Sequence, residues 1–378
     1  MRDAVIVAAV RTPVGKRDGG LAGVHPVDLS ALVLKELVTR TGIDPALVGD
    51  VVWGCVTQSG EQSGNVGRYA ALAAGFPESV AGVTVDRACG SSQQSLEFAA
   101  AAVIAGYRDV VIAGGVESMS RVPMGSARKA GPGKAFGPLV AGRYGVEGFN
   151  QGEGAEILAE RWKLTRHDVD SYALESHARA AAAIDSGAFR DEIVPVGTFD
   201  TDEGVRRGGT LETLGGLKTV FREDGVVTAG NSSQISDGAA GLLIMTSSRA
   251  RELGLRPLAR IHSAAVAGVD PVSMLTGPIP ATEKVLKSSG LTPADIGAYE
   301  VNEAFASVPL AWQAELGVDS ARLNPLGGAI ALGHPLGGSG ARIATTLVHH
   351  LRAKGIRYGL QTMCEAGGMA NATIFESL

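Results

Sequence analysis

Short apolar runs alternate with longer stretches in which alanine and leucine recur at helical spacing. Residues 4–10, 50–53, 109–114 and 359–363 are nearly continuous apolar runs and predict buried strands. Residues 25–40, 92–105, 166–186 and 341–354 predict helices. Alternation of this kind predicts an α/β protein with parallel sheets covered by helices. At the head of the third helix, Thr165 and Asp168 read as a capping box, with Asp where Glu or Gln is usual.

Two stretches follow one plan. Cys89-Gly90-Ser91 leads into a helix, then a strand, then a glycine turn at Gly115. Gly337-Gly338-Ser339-Gly340 leads into a helix of similar length, a strand and the turn Ala366-Gly367-Gly368. The match predicts a duplicated α/β unit. The region between differs in texture. From 121 to 146 it holds Arg121, Arg128, Lys129, Lys134 and Arg143 with no acid, and Pro123, Pro132 and Pro138 disfavour a regular helix. Residues 118–237 therefore read as an excursion of loops and a few helices, and long loops in compact proteins are usually functional or disordered.

Composition narrows the class. With 378 residues there is room for two or three domains, and 45% hydrophobic against 19% charged residues excludes a disordered chain. Lys plus Arg number 34 and Asp plus Glu 39, so no nucleic-acid partner is expected. No apolar run approaches the ~20 residues of a membrane span. Residues 4–10 run into Arg11-Thr12-Pro13 without a cleavage-site pattern, which reads as a strand and not a signal peptide. Three cysteines (Cys55, Cys89 and Cys364) cannot form a disulfide framework and point to reduced thiols in the cytoplasm.

Four segments can carry chemistry. Cys89 precedes an alanine-rich helix, where unpaired N–H groups favour a thiolate; a buried structural cysteine is the alternative. His334 lies in the glycine-rich run 324–340, which matches neither nucleotide-binding glycine pattern and suits an imidazole base for a thiol. Asn302 in Val301-Asn302-Glu303-Ala304-Phe305-Ala306 can donate to an oxyanion or can simply cap a helix. Cys364 ends a strand before a glycine turn, where a thiol can do acid/base work or fill a core.

Taken in order, Cys89-Gly90-Ser91, Asn302-Glu303-Ala304-Phe305-Ala306, Gly333-His334-Pro335 and Cys364-x-x-Gly367-Gly368-Met369 resemble the thiolase family over essentially the whole chain. Arg11 to Lys16, Glu117 to Ser120, Thr228 to Ser233, Ser236 to Ala240 and Gly277 to Ala281 also match. The resemblance implies a duplicated α–β–α–β–α layered fold: residues 1–117 with about 238–250 as one half, 118–237 as an inserted loop domain binding coenzyme A, and 251–378 as the other half. It implies an acyltransferase that cleaves 3-ketoacyl-CoA with CoA, or condenses two acetyl-CoA, through an acylated Cys89. His334 would take the thiol proton, and Cys364 would be the acid/base at the α-carbon. Asn302, through water, would join His334 at the enolate oxygen. Backbone N–H groups of Cys89 and Ala366 would form a second oxyanion hole. Ser233 would meet the pantetheine arm, and Arg206 would stand near the adenine and phosphates.

On the same basis no cofactor or metal is expected, coenzyme A being a substrate, and the assembly would be a homodimer or homotetramer. Asp86, Ser92 and Glu365 depart from the family pattern, Glu365 standing where an apolar residue is usual. Residues 149–156 lack the His-Met pair of short-chain biosynthetic members and look more like the degradative branch. Two rival functions remain: a decarboxylating ketoacyl synthase, which would carry a second His in place of Cys364, and a non-catalytic acyl-CoA or lipid carrier, which need not keep all four reactive positions.

Overall fold

The computed structural model describes residues 2–378. Its strands are β1 (Val5–Arg11), β2 (Gly15–Lys16), β3 (Asp50–Gly54), β4 (Ala81–Val85), β5 (Val110–Ser118), β6 (Ser236–Met245), β7 (Ala259–Gly268), β8 (Ala298–Val301), β9 (Tyr358–Glu365) and β10 (Met369–Ser377). They form one sheet in the order β4-β3-β5-β6-β1-β7-β10-β9-β8, with β2 added on β6. About the β1–β7 junction the two sides mirror each other, β6, β5 and β3 answering β10, β9 and β8, with β4 added on the first side. β3 runs parallel to β5, and β8 parallel to β9. The pairs β5–β6, β1–β6, β7–β10 and β9–β10 are antiparallel. The duplication expected from the two glycine-led stretches is thus present, but the sheet is mixed and not parallel.

The departure has a physical source. β6, β7 and β10 are built from Gly, Ala and Ser as much as from large apolar residues, so they carry weak strand signals. Small side chains are what β6 and β10 require, because helices press on both sides of them, whereas β7 is covered on one side and exposed at alternate residues along its second half. Pro26–Thr41 covers the outer face of the first half, and Pro278–Ser289 that of the second. Between the halves lie two helices packed on each other, Ser91–Ala105 and Leu336–Lys354, each touching strands on both sides. The layers are therefore helix, first half of the sheet, helix pair, second half of the sheet, helix.

The second central helix begins five residues earlier than its periodicity predicts. Gly337, Gly338 and Gly340 are inside its first two turns and not in a loop. Gly115 likewise continues β5 instead of turning. A Cβ on Gly115 would lie 2.1 Å from the Gly337 carbonyl oxygen, and one on Gly340 2.3 Å from the Gln93 nitrogen. These glycines allow helix and strand backbones to touch. Glu117, wholly buried, fixes the contact by accepting from the N–H groups of Val56 and Thr57 (3.0 Å each) and of Gly337 (2.9 Å).

The excursion leaves the sheet after β5 and returns at β6. It contains Ser126–Ala130, Pro138–Tyr144, Gln151–Arg161, Arg166–Asp185 and Leu211–Gly215 as helices, with the Thr165–Asp168 capping box formed. It is tied to β1 by the buried Arg11 guanidinium, which donates to Glu192 at 2.6 Å and to both oxygens of Asp202 at 2.7 and 2.9 Å. Among the described residues no helix is long and apolar enough to cross a membrane.

The close contact gives a direct test. Gly115→Ala pushes a methyl group into backbone atoms that cannot rotate away, so it should lower stability by ~1–3 kcal/mol. Gly23→Ala, where nothing lies within 4 Å of the added carbon, is the control. Thermal melts should place Gly115→Ala several degrees below the parent and Gly23→Ala beside it. Equal melting temperatures would show that the helix pair can shift to admit the methyl.

Candidate active site

Cys89 sits in a tight turn just before Ser91–Ala105. Ala88 has φ of 45°, a left-handed conformation that costs a non-glycine residue about 1–2 kcal/mol. The turn is held by Asp86, whose Oδ1 accepts from the Ala88 N–H at 2.8 Å, and by Ser91 Oγ, which accepts from the Arg87 N–H at 2.9 Å. Asp86 thus holds the turn that presents Cys89. Neither the Cys89 nor the Ala366 N–H has an internal acceptor among the described residues, and both residues line one cavity. Ala366 does not adopt positive φ, so a residue with a Cβ sits there without backbone strain.

Two cavities meet at Cys89. One, of about 260 Å³, holds Cys89, Ser233, Phe221, Phe305 and His334 on its walls. The other, of about 500 Å³, extends past Met124, Phe149 and Ala366. Cys364 lines neither. It is fully buried at the end of β9, close enough to Cys89 to feel its charge.

His334 is oriented from two sides. Ser339 Oγ donates to the Pro335 carbonyl (2.9 Å) and lies 2.6 Å from His334 Nδ1, so it is available as acceptor to an Nδ1–H. That network assigns the proton to Nδ1 and leaves Nε2 as the basic nitrogen. Asn302 Nδ2 approaches Nε2 at 3.4 Å, and Asn302 Oδ1 is buried without a partner. Ser339 carries no sequence signal of its own: it faces His334 only because the glycine run is helical. Gln151 was also missed; its amide nitrogen lies 3.9 Å from Cys89 Sγ, and nothing local to residues 149–156 marks it. The neighbouring Glu303 holds the Asn302 segment, accepting from Tyr172 (3.0 Å), Ser176 (2.7 Å) and Asn324 (2.9 Å).

Burial dominates the electrostatics. It pushes the Cys89 thiol up to about 12, against the opposing hydrogen bond from Gln151. The helix end thus does not give the resting thiolate that the sequence predicts, because desolvation outweighs it. Burial, with Arg342 nearby, lowers His334 to about 3, so the imidazole is neutral. Burial also raises Cys364 well above the ordinary thiol value.

Arg206 is not brought to this centre. It lines a separate cavity of about 430 Å³ beside Arg166–Asp185, where its N–H donates to His177 Nδ1 at 3.1 Å. Of the basic stretch, Arg121 pairs with Glu61, while Arg128 and Arg143 lie over the rings of Phe136 and Tyr144.

The family model for the thiolase N-terminal domain matches residues 4–248, and that for the C-terminal domain matches 255–377. The chain belongs to the thiolase family. It is 50% identical to the steroid 3-ketoacyl-CoA thiolase FadA6 of Mycobacterium tuberculosis, over 100% of this chain and 95% of that protein. It is 46% identical to a beta-ketoadipyl-CoA thiolase of Escherichia coli, over the full length of both. Among solved structures, the acetyl-CoA acetyltransferase of Bacillus anthracis superposes with a TM-score of 0.92 at 41% identity, over 100% of this chain and 99% of that one.

An acid stands beside Cys364 in this site. The Glu365 carboxyl is buried beside Cys364 with no partner for either oxygen, and a Cβ on Gly90 would fall 1.9 Å from its Oε1. Burial raises it to about 9, with Arg87 opposing. A neutral carboxyl explains how an acid occupies a position usually apolar.

An acid neutral when folded and ionised when unfolded binds more protons in the native state, so its burial costs stability progressively as pH rises from about 4.5 toward 9. Glu365→Gln removes that dependence. Its melting temperature relative to the parent should rise between pH 5 and pH 8.5; a constant difference would show that Glu365 is ionised in the folded protein.

Proposed function

We propose that this thiolase is an acyltransferase that cleaves 3-ketoacyl-CoA with CoA to acetyl-CoA and a shortened acyl-CoA, and runs the reverse condensation. The observation that carries the reading is the shared cavity of Cys89 and His334, with a neutral imidazole whose Nε2 is basic. A buried neutral thiol needs such a base at the moment of attack.

Cys89 Sγ attacks the 3-keto carbon as its proton passes to His334 Nε2. The backbone N–H groups of Cys89 and Ala366 receive the tetrahedral oxyanion. The bond between the α- and β-carbons breaks, and the acetyl-CoA enolate takes a proton at carbon from Cys364. Its oxygen is stabilised by His334 and Asn302, the latter through water. The CoA thiol then gives its proton to the Cys364 thiolate and attacks acyl-Cys89. The leaving Cys89 sulfur recovers its proton from His334, and the cycle closes with no prosthetic group. Burial of both thiols keeps charge out of the resting site, so charge appears only as bonds change.

Ser233 on the wall of the smaller cavity is the contact for the pantetheine arm, and Arg206 the outer cation for the nucleotide end. The reduced thiols suit a cytoplasmic enzyme, and a homodimer or homotetramer is the expected assembly. Cys364, in the place where a ketoacyl synthase would use a second His, favours thiolysis over decarboxylation. A carrier would bind acetoacetyl-CoA saturably without consuming it; the enzyme should abolish its absorbance on adding CoA.

Cys364→Ala separates the two cysteines. Acetyl-CoA should still label Cys89, while thiolysis and condensation fall by at least ~10²-fold. The parent should wash solvent deuterium into the methyl group of acetyl-CoA and the variant should not. Exchange at the parental rate would assign the α-proton to another base.

Alkylation of Cys89 gives an independent reading of its protonation. It should be the first thiol modified by iodoacetamide, since Cys55 and Cys364 are fully enclosed. The rate should keep climbing past pH 9 because the thiolate is scarce below about 12. A plateau near neutral pH would mean that the thiolate is already formed at rest.

A further inference from the structure

Buried oxygens crowd the back of the nucleophile turn, and no step of the reaction uses them. Neither oxygen of Glu365 has a hydrogen-bond partner, and Asn371 Oδ1 has none. The two side chains converge on one point. A Cβ built on Gly90 would overlap Glu365 Oε1 and stand 2.6 Å from Asn371 Oδ1. The Asn371 amide is held in this orientation, because its Nδ2 donates to Gln94 Oε1 at 3.1 Å and to Glu97 Oε1 at 3.0 Å. Both acceptors belong to Ser91–Ala105, the helix that Cys89 leads into. Two buried oxygens that face each other repel unless one of them carries a proton. The surrounding charges place that proton on Glu365. Burial raises its carboxyl to about 9, Glu97 adds to the rise, and Arg87 and the Asn371 N–H oppose it. Arg87 does not neutralise it through Nε, which is buried without a partner, and the Arg87 Nη1 meets the Met369 sulfur at 4.0 Å. Glu97 is itself raised by burial, to about 7. The other titratable groups on this side are the Cys89 and Cys364 thiols, both raised by burial.

We infer that Glu365 is a positioning residue: as a neutral acid it donates to Asn371 Oδ1, and this bond ties the segment Cys364–Ala366 to the helix that presents Cys89. The inference rests on the acyl-Cys89 reading, in which the N–H groups of Cys89 and Ala366 together receive the oxyanion. Those two residues are the chain neighbours of the pair that meets here, Cys89 beside Gly90 and Ala366 beside Glu365. The bond therefore sets the spacing of the two donors, and an error of ~1 Å in such spacing can cost ~10²-fold in rate. Loss of the proton acts twice. It sets two acceptors against each other at the Gly90 α-carbon. It also places a negative charge close to both thiols, where it raises each further and opposes a developing oxyanion.

The test compares the parent with Glu365→Gln and Glu365→Leu in thiolysis of acetoacetyl-CoA. Glutamine keeps a donor at every pH, whereas leucine is equally uncharged but donates nothing. The substrates' own ionisations cancel in the ratio of kcat for Glu365→Gln to kcat for the parent. That ratio should rise about fourfold between pH 7.5 and pH 9.5, as a group titrating near 9 requires, with KM moving little. Glu365→Leu should follow the same alkaline course as Glu365→Gln but lie about fivefold or more below it in kcat at pH 7.5. A flat ratio, or equal kcat for the two variants, overturns the inference. Infrared spectra read the proton directly. The parent at pH 7 should carry a carboxylic-acid C=O band that Glu365→Gln lacks and that fades by pH 10; a parent without the band overturns the inference. Alkylation of Cys89 by iodoacetamide carries the test without turnover. Above pH 9 the parent should fall behind Glu365→Gln, because the Glu365 charge opposes the Cys89 thiolate. Coincident rates overturn the inference. Divergent rates in a protein that cleaves no 3-ketoacyl-CoA support it and overturn the proposed reaction instead.

Discussion

The two central helices lie against each other and against both halves of the sheet at backbone contact, and the rest of the site follows from that closeness. No side chain fits where Gly115 meets Gly337 or where Gly340 meets Gln93. Glu117 then joins the two halves through three backbone N–H groups, exchanging the flexibility of side-chain packing for fixed hydrogen bonds. Because each helix begins at this junction, Cys89 before one and His334 before the other come to the same cavity. The duplicated halves thereby each contribute a first member of the reactive pair, and the turns after β5 and β9 frame it.

Burial governs the chemistry at that junction. Cys89, His334, Cys364 and Glu365 are all buried, and burial holds each in its neutral form. A neutral thiol and a neutral imidazole can exchange a proton in concert with bond formation without first separating charge in a dry site. Glu365 belongs to the same logic: it is an acid by composition but an uncharged group by environment. Its unpartnered Oε1 and the unpartnered Oδ1 of Asn371 crowd the Gly90 α-carbon, which explains why that position admits only hydrogen there.

The excursion supplies what the two halves lack. It closes the cavities with Phe149, Phe221 and Gln151, brings Arg128 into the larger one, and is anchored by the buried ion pairs of Arg11. Its glycine- and proline-rich sequence gives little periodic signal because its order comes from contacts with the core and not from its own repeats.

The sequence by itself determined the alternation of strands and helices, the duplicated plan, the capping box at Thr165 and the family marked by the ordered motifs around Cys89, Asn302, His334 and Cys364, since each is written in a local pattern or an ordered motif. It could not determine the mixed direction of the sheet. β6, β7 and β10 are strands because of what packs on them, and their small residues look like turn material until neighbours are in place. Nor could it assign the glycine run to a helix, Ser339 to His334 or Gln151 to Cys89, as these pairings depend on the helix contact. Protonation was likewise decided only in three dimensions. The helix end argued for a thiolate at Cys89, but desolvation depends on the whole shell of atoms around a group, and that shell includes residues as distant in sequence as Gln151 and Glu365.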